Sequence, residues 1–147
     1  MAERELRGTM ARRGEKHQLG TLVLDCDGLS RLVDDAVPVV VVLAEARRRG
    51  MEVVVSALTV IEAAHAKTNR ARLSWLLSGI RIEPVDETAA RAASELLIES
   101  NLHGHKYAID AVVAELAARQ RPPVLLLTSD VDDMKKLCDP AVRPIST

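Results

Sequence analysis

Aromatic side chains are nearly absent from this chain of 147 residues: it has one Trp (Trp75), one Tyr (Tyr107) and no Phe. Proteins that hold single-stranded nucleic acid by base stacking need a platform of such rings, so that mode of binding is argued against. Cysteine is scarce too. Cys26 and Cys138 lack metal-ligand spacing and read as free, small, apolar residues of a reduced cytoplasmic protein. No stretch is long and uncharged enough to span a membrane. Residues 1–18 mix Arg, Glu and Lys without an apolar centre, so they are no secretory signal and read as a flexible tail. Charge of one sign is missing as well: the net charge is −1. A polyanion could therefore be bound only through a local patch.

What the chain does have is apolar content, 48% of its residues, enough for one domain around a single core over residues 19–147. Short segments at 22–24, 52–55, 80–83, 124–127 and 142–145 read as strands, the clearest of them apolar throughout. Helices are expected at 29–33, 38–49, 57–67, 70–77, 87–99, 105–119 and 131–137. Pro38 falls in the first turn of its helix and Gly50 just past its end. Ser56 can cap the helix that follows it. Strands that are apolar throughout and alternate with helices point to a mainly parallel sheet covered on both faces, a three-layer α/β/α sandwich.

Four acids sit where acids are costly. Asp25 ends the first strand, Glu62 and Asp110 interrupt apolar helical stretches, and Asp130 follows the fourth strand after Thr128-Ser129. Two unit charges about 4 Å apart interact by roughly 4 kcal/mol at an effective dielectric near 20. A fold that gathers such groups needs something cationic, and hard Mg²⁺ or Mn²⁺ take oxygen ligands. Asp25 and Asp130 lie at the carboxyl ends of strands, where open α/β sheets bind ligands. Glu62 and Asp110 are expected in early helical turns, on the side where the dipole favours an anion. Each acid also has a plain structural reading. Asp130 is equally an N-cap, Asp25 a turn residue, Glu62 a solvated helix position, and Asp110 a partner for Lys106.

Four segments resemble the PIN-domain nucleases, and within them the VapC-type toxins of bacterial toxin–antitoxin pairs. They are Val23-Leu24-Asp25, Ser56 to Glu62 (SALTVIE), Ala108 to Ala114 (AIDAVVA), and Leu127-Thr128-Ser129-Asp130. The resemblance runs from about Leu22 to Ile145. It implies that Asp25, Glu62, Asp110 and Asp130 are the four metal-site acids, with Asp133 a frequent fifth. Asp25 and Asp130 are then the first choice as direct ligands, with Asp110 and Asp133 as further metal-site candidates and Glu62 and Asp110 positioned through water or at a second ion. Asp27 departs from the pattern, which usually has a small neutral residue there. The resemblance also implies Mg²⁺- or Mn²⁺-dependent cleavage of RNA, a cognate antitoxin and a homodimer.

The basic residues best placed to meet phosphate are Lys67, Arg70 and Arg72 after the Glu62 helix, together with Arg31 and Lys106. Arg47-Arg48-Arg49 suits the end of a helix. His103 and His105 read as a solvated loop, His65 as a partly buried helix residue, and Trp75 as core or subunit contact. Two rival readings stand. Asp25-Cys26-Asp27-Gly28 also resembles the first motif of haloacid-dehalogenase-type phosphatases, with Leu127-Thr128 as the second, but Glu62 and Asp110 then lose their explanation. The other rival is a PIN-like interaction module that does not cut.

Overall fold

The most apolar strands take the middle of the sheet because only there are both faces covered. The computed structural model describes residues 19–147; the tail expected over 1–18 lies outside the described residues. The sheet order is β3-β2-β1-β4-β5, and every pair is parallel. Strand β1 (Thr21–Leu24) lies between β2 (Glu52–Ser56) and β4 (Val124–Thr128), with Leu22 level with both Val53 and Leu125. The edges go to β3 (Arg81–Glu83) and β5 (Val142–Ser146). These carry charges and Pro144, which discourage pairing with another chain.

Alternation along the strands sends side chains to two cores. Leu22, Leu24, Val53, Val55 and Leu127 pack under α1 (Cys26–Val33), α2 (Val37–Arg48) and α4 (Arg70–Ser78). Val23, Val54, Val124 and Leu126 pack against α6 (Gly104–Ala118) and α7 (Val131–Leu137). Helix α5 (Glu87–Glu99) lies on α6 through Ala93, Ala111 and Ala114. Short α3 (Ala57–Ala63) follows β2 directly, with the Ser56 hydroxyl accepting from Leu58 N. This is the three-layer α/β/α sandwich that the sequence pattern implies.

Helix α2 forms through a run of four valines, residues with only modest helix propensity. Burial decides the matter: Val39, Leu43 and Ala46 fall on one face and enter the core. Gly50, at φ +73°, takes the left-handed position after the helix that glycine accepts without strain.

Two elements differ from expectation. Helix α1 starts at Cys26, three residues before the expected start, because Asp25 caps it. Helix α3 stops at Ala63 rather than running to 67. Beyond it the Thr68 hydroxyl accepts from His65 N at 2.8 Å, and His65 Nδ1 accepts from Lys67 N at 3.1 Å. These local bonds compete with helical ones and turn the chain. His65 is therefore an exposed turn residue, not a half-buried helical one. Trp75 is 65% exposed, so it is not part of this chain's core.

Candidate active site

The chain lays β1, β2 and β3 outward on one side of the sheet, then crosses to place β4 beside β1. At such a reversal the loops after the two strands diverge and leave a crevice at their carboxyl ends. Asp25 leaves β1 and Asp130 follows β4 at this point.

Asp25 is buried, and its backbone N–H donates to Leu127 O at 3.2 Å, joining the two strand ends. Its Oδ1 accepts from Gly28 N at 2.9 Å, so the carboxylate also caps α1. Gly28 is needed for close approach: a Cβ there would stand 3.2 Å from Leu127 O. Thr128, fully buried, serves both acids. Its hydroxyl accepts from Asp130 N at 3.0 Å and, beside Asp25, works to lower that carboxyl's pKa. Asp130 occupies the N-cap position of α7, but its side chain makes no capping bond. Asp130 thus stands at the expected cap position without a capping side-chain bond, while Asp25, expected as a turn residue, caps α1.

Glu62 and Asp110 approach from the helices. Glu62 is the next-to-last residue of α3, not in an early turn, so that helix's dipole does not favour its charge. Asp110 lies in the second turn of α6, beyond the reach of the strongest dipole effect. Neither acid has an ion-pair partner among the described residues. The expected pair between Asp110 and Lys106 is not formed; the Lys106 ammonium lies 5.0 Å from the centre of the Tyr107 ring.

One cavity of about 280 Å³ is lined by Asp25, Cys26, Asp27, Glu62, Ile109, Asp110, Val113, Ser129 and Asp130. All four acids meet there, and their electrostatics show it. Burial, and then the charges of Glu62, Asp130, Asp25 and Asp133, push Asp110 up to about 6. Burial raises Glu62, with Asp25 adding to it. Burial also raises Asp25, partly offset by Thr128 and by the bond from Gly28. Asp130 is raised chiefly by its hydrogen bond with the Asp133 side chain. Cys26, which the sequence reading treated only as a free apolar residue, lines the same cavity. Burial and then Glu62 raise its thiol, so it is a poor nucleophile there. Its place directly after Asp25 was the available signal.

Among the described residues, no three of His, Cys, Asp and Glu form a ready-made metal cage. The donor set is nonetheless all hard oxygen around one cavity, which suits an ion that keeps several waters and takes one or two carboxylates directly.

The basic candidates divide. Arg31 Nε donates to Asp27 Oδ2 at 2.8 Å, beside the cavity. Contact with Tyr107 is the main influence raising Lys106, and the charges of Asp133 and Asp130 add to it. Lys67 and Arg70 are exposed on the segment after α3. Arg72 is engaged elsewhere: it donates to Leu32 O at 3.3 Å and to Asp35 at 2.9 Å, on the seam between α1 and α4. Arg48 and Arg49 pair with Glu45 at 2.7 and 2.8 Å, as suits a helix end. His103 and His105 are exposed at the start of α6.

No family model matches the sequence, and no curated protein does. Solved structures do match. One is a chain of VapBC2 from Rickettsia felis, a complex bound to a DNA fragment from its promoter: TM-score 0.67, 15% identity, covering 86% of this chain and 98% of that one. Another is a chain of FitAB bound to an IR36 DNA fragment: TM-score 0.63, 20% identity, covering 86% and 94%. At these identities the likeness concerns the fold, and the chain has the PIN-like α/β/α fold that it shares with chains of those two toxin–antitoxin complexes.

Proposed function

We propose that this protein is a divalent-metal-dependent endoribonuclease of the VapC type, the toxin of a cytoplasmic toxin–antitoxin pair. The observation that carries the reading is the meeting of Asp25, Glu62, Asp110 and Asp130 in one cavity at the reversal point of the sheet. Glu62 and Asp110 would have no task in a phosphatase built on Asp25 alone.

In this reading Asp25 and Asp130 would be the first choice to hold Mg²⁺ or Mn²⁺, with Asp110 and Asp133 as further oxygen donors. The bound ion supplies Lewis acidity to a phosphodiester and lowers the pKa of water beside it. Thr128 keeps the two principal acids in place. Glu62, and Asp110 where it is not itself a ligand, would position water in the cavity. Ile109 and Val113 give the cavity an apolar wall, which strengthens every polar contact inside it. Arg31, Lys106, Lys67 and Arg70 offer cations for the RNA backbone, while Arg72 must first give up Asp35 to join them.

An antitoxin fits the same reading. A second cavity, of about 330 Å³, lies between α1, α2 and α4 and is lined by Leu32, Val40, Leu43, Leu76 and the exposed Trp75. An amphipathic segment of the partner docks there, and a basic side chain from it reaches the acids. Homodimerisation uses other helices.

The direct test combines cleavage and stability. Single-stranded RNA should be cut in Mg²⁺ or Mn²⁺ and left intact in EDTA. Mn²⁺ should raise the melting temperature by binding the folded state alone. The double variant D25N/D130N should fold but lose both responses. Retention of the Mn²⁺ response in that variant would refute the assignment.

A further inference from the structure

Asp27 is the residue at this site that departs from the PIN pattern. Its carboxylate lines the cavity, yet a single oxygen, Oδ2, accepts from Arg31 Nε at 2.8 Å and from the Thr147 hydroxyl at 2.7 Å. We propose that Asp27 is a positioning residue: it fixes the Arg31 guanidinium at the rim of the acid cavity, where that group receives a phosphate of the RNA backbone. The inference rests on the ribonuclease reading and gives Asp27 a task other than metal binding.

The geometry supports this in three ways. An exposed pair one helical turn apart holds an arginine only weakly by itself. Here the acceptor is anchored independently, because Thr147 N donates to Thr128 O at 3.0 Å. Asp27 is therefore tied to the strand end whose Thr128 organises Asp25 and Asp130. Secondly, only Nε of Arg31 is engaged among the described residues, so its terminal N–H groups remain available. The Arg31 side chain is 49% exposed, and a planar guanidinium meets phosphate oxygens two at a time. Thirdly, two of the other basic candidates are engaged elsewhere. Arg72 is spent on Leu32 O and Asp35, and Lys106 lies over Tyr107.

The chemistry makes a prediction opposite to simple charge counting. Removing a negative charge beside a polyanion site should by itself improve RNA binding. If Asp27 works by fixing Arg31, its removal should weaken binding instead. The experiment compares D27N, R31A, the double variant, T147V and T147S in Mn²⁺ with a fluorogenic single-stranded RNA, measuring KM and kcat separately. The Mn²⁺-induced rise in melting temperature is followed in parallel. D27N and R31A should each raise KM by about fivefold, the upper scale of one solvent-exposed ion-pair contact. Their effects should not add, kcat should change little, and the Mn²⁺ response should persist. R31A should also lower the salt dependence by about one phosphate contact. T147V should weaken binding and T147S restore it. A lower KM in D27N, or a lost Mn²⁺ response, would overturn the proposal and make Asp27 a repulsive charge or a ligand. An unchanged KM in R31A would overturn it equally. If the wild-type protein neither binds nor cuts RNA, the ribonuclease reading falls and takes the proposal with it.

Discussion

Without a metal, Asp110 is the acid most affected by its neighbours. Its folded pKa is pushed up to about 6 from the ordinary 3.8, first by burial and then by Glu62, Asp130, Asp25 and Asp133. The folded state therefore holds the proton more tightly than the unfolded chain. That contribution to stability is complete below about pH 4 and is lost as pH rises through about 6. The raised Asp25 and Glu62 act in the same direction. In EDTA the melting temperature should accordingly fall between about pH 4 and pH 7. D110N should flatten that fall and melt a few degrees higher at neutral pH, roughly what 1 kcal/mol produces in a domain of this size. A scan in which D110N and wild type run parallel across this range would show that Asp110 is not under this strain.

Elements carry the site through their ends. Helix α1 begins where the Asp25 carboxylate meets Gly28 N, and the same glycine lies against Leu127 O. Gly28→Ala would place a Cβ 3.2 Å from that carbonyl. Since Leu127 O already accepts from Asp25 N, the backbone there is held from both sides. The expected result is a melting temperature lower by roughly 3–6 °C, about 1 kcal/mol, with a weaker Mn²⁺ response. A differential scan of the variant with and without Mn²⁺ checks both; if neither changes, the strand ends yield more readily than their bonds suggest. The strands, most helices and Asp25, Glu62, Asp110 and Asp130 as acids of note were legible in the sequence, because burial period and element ends are local properties. The length of α3 was not. Its end depends on His65 and Thr68 capturing backbone groups, which the helix-favouring composition of 57–67 conceals.

At the scale of the whole molecule, the sheet order places four acids from four distant segments at the carboxyl ends of β1 and β4. It also leaves the cavity between α1, α2 and α4 open, with Trp75 at its side. A partner segment seated there that sends a basic side chain into the acid cavity would oppose the metal by occupying the same carboxylates. Linkage then requires the effect to be mutual. Such a segment should weaken Mn²⁺ binding, and saturating Mn²⁺ should weaken the segment to the same extent. Replacing the segment's basic residue with Ala should remove the competition and leave the groove contact. Calorimetry in both orders of addition checks this, and independent binding would mean that the partner inhibits by blocking RNA alone.

The amino-acid sequence alone determined which runs become strands and that Asp25 and Asp130 stand at strand ends. These follow from local apolarity, alternation and turn residues. The tertiary structure decided what no local pattern contains. Arg72 is committed to Asp35, just past the end of α1, and Asp27 shares one oxygen between Arg31 and Thr147, the latter 120 residues away. Such pairings depend on which strand ends the crossover brings together. The physical reason is that a charged side chain's partner is chosen by distance in space, whereas the sequence records distance only along the chain.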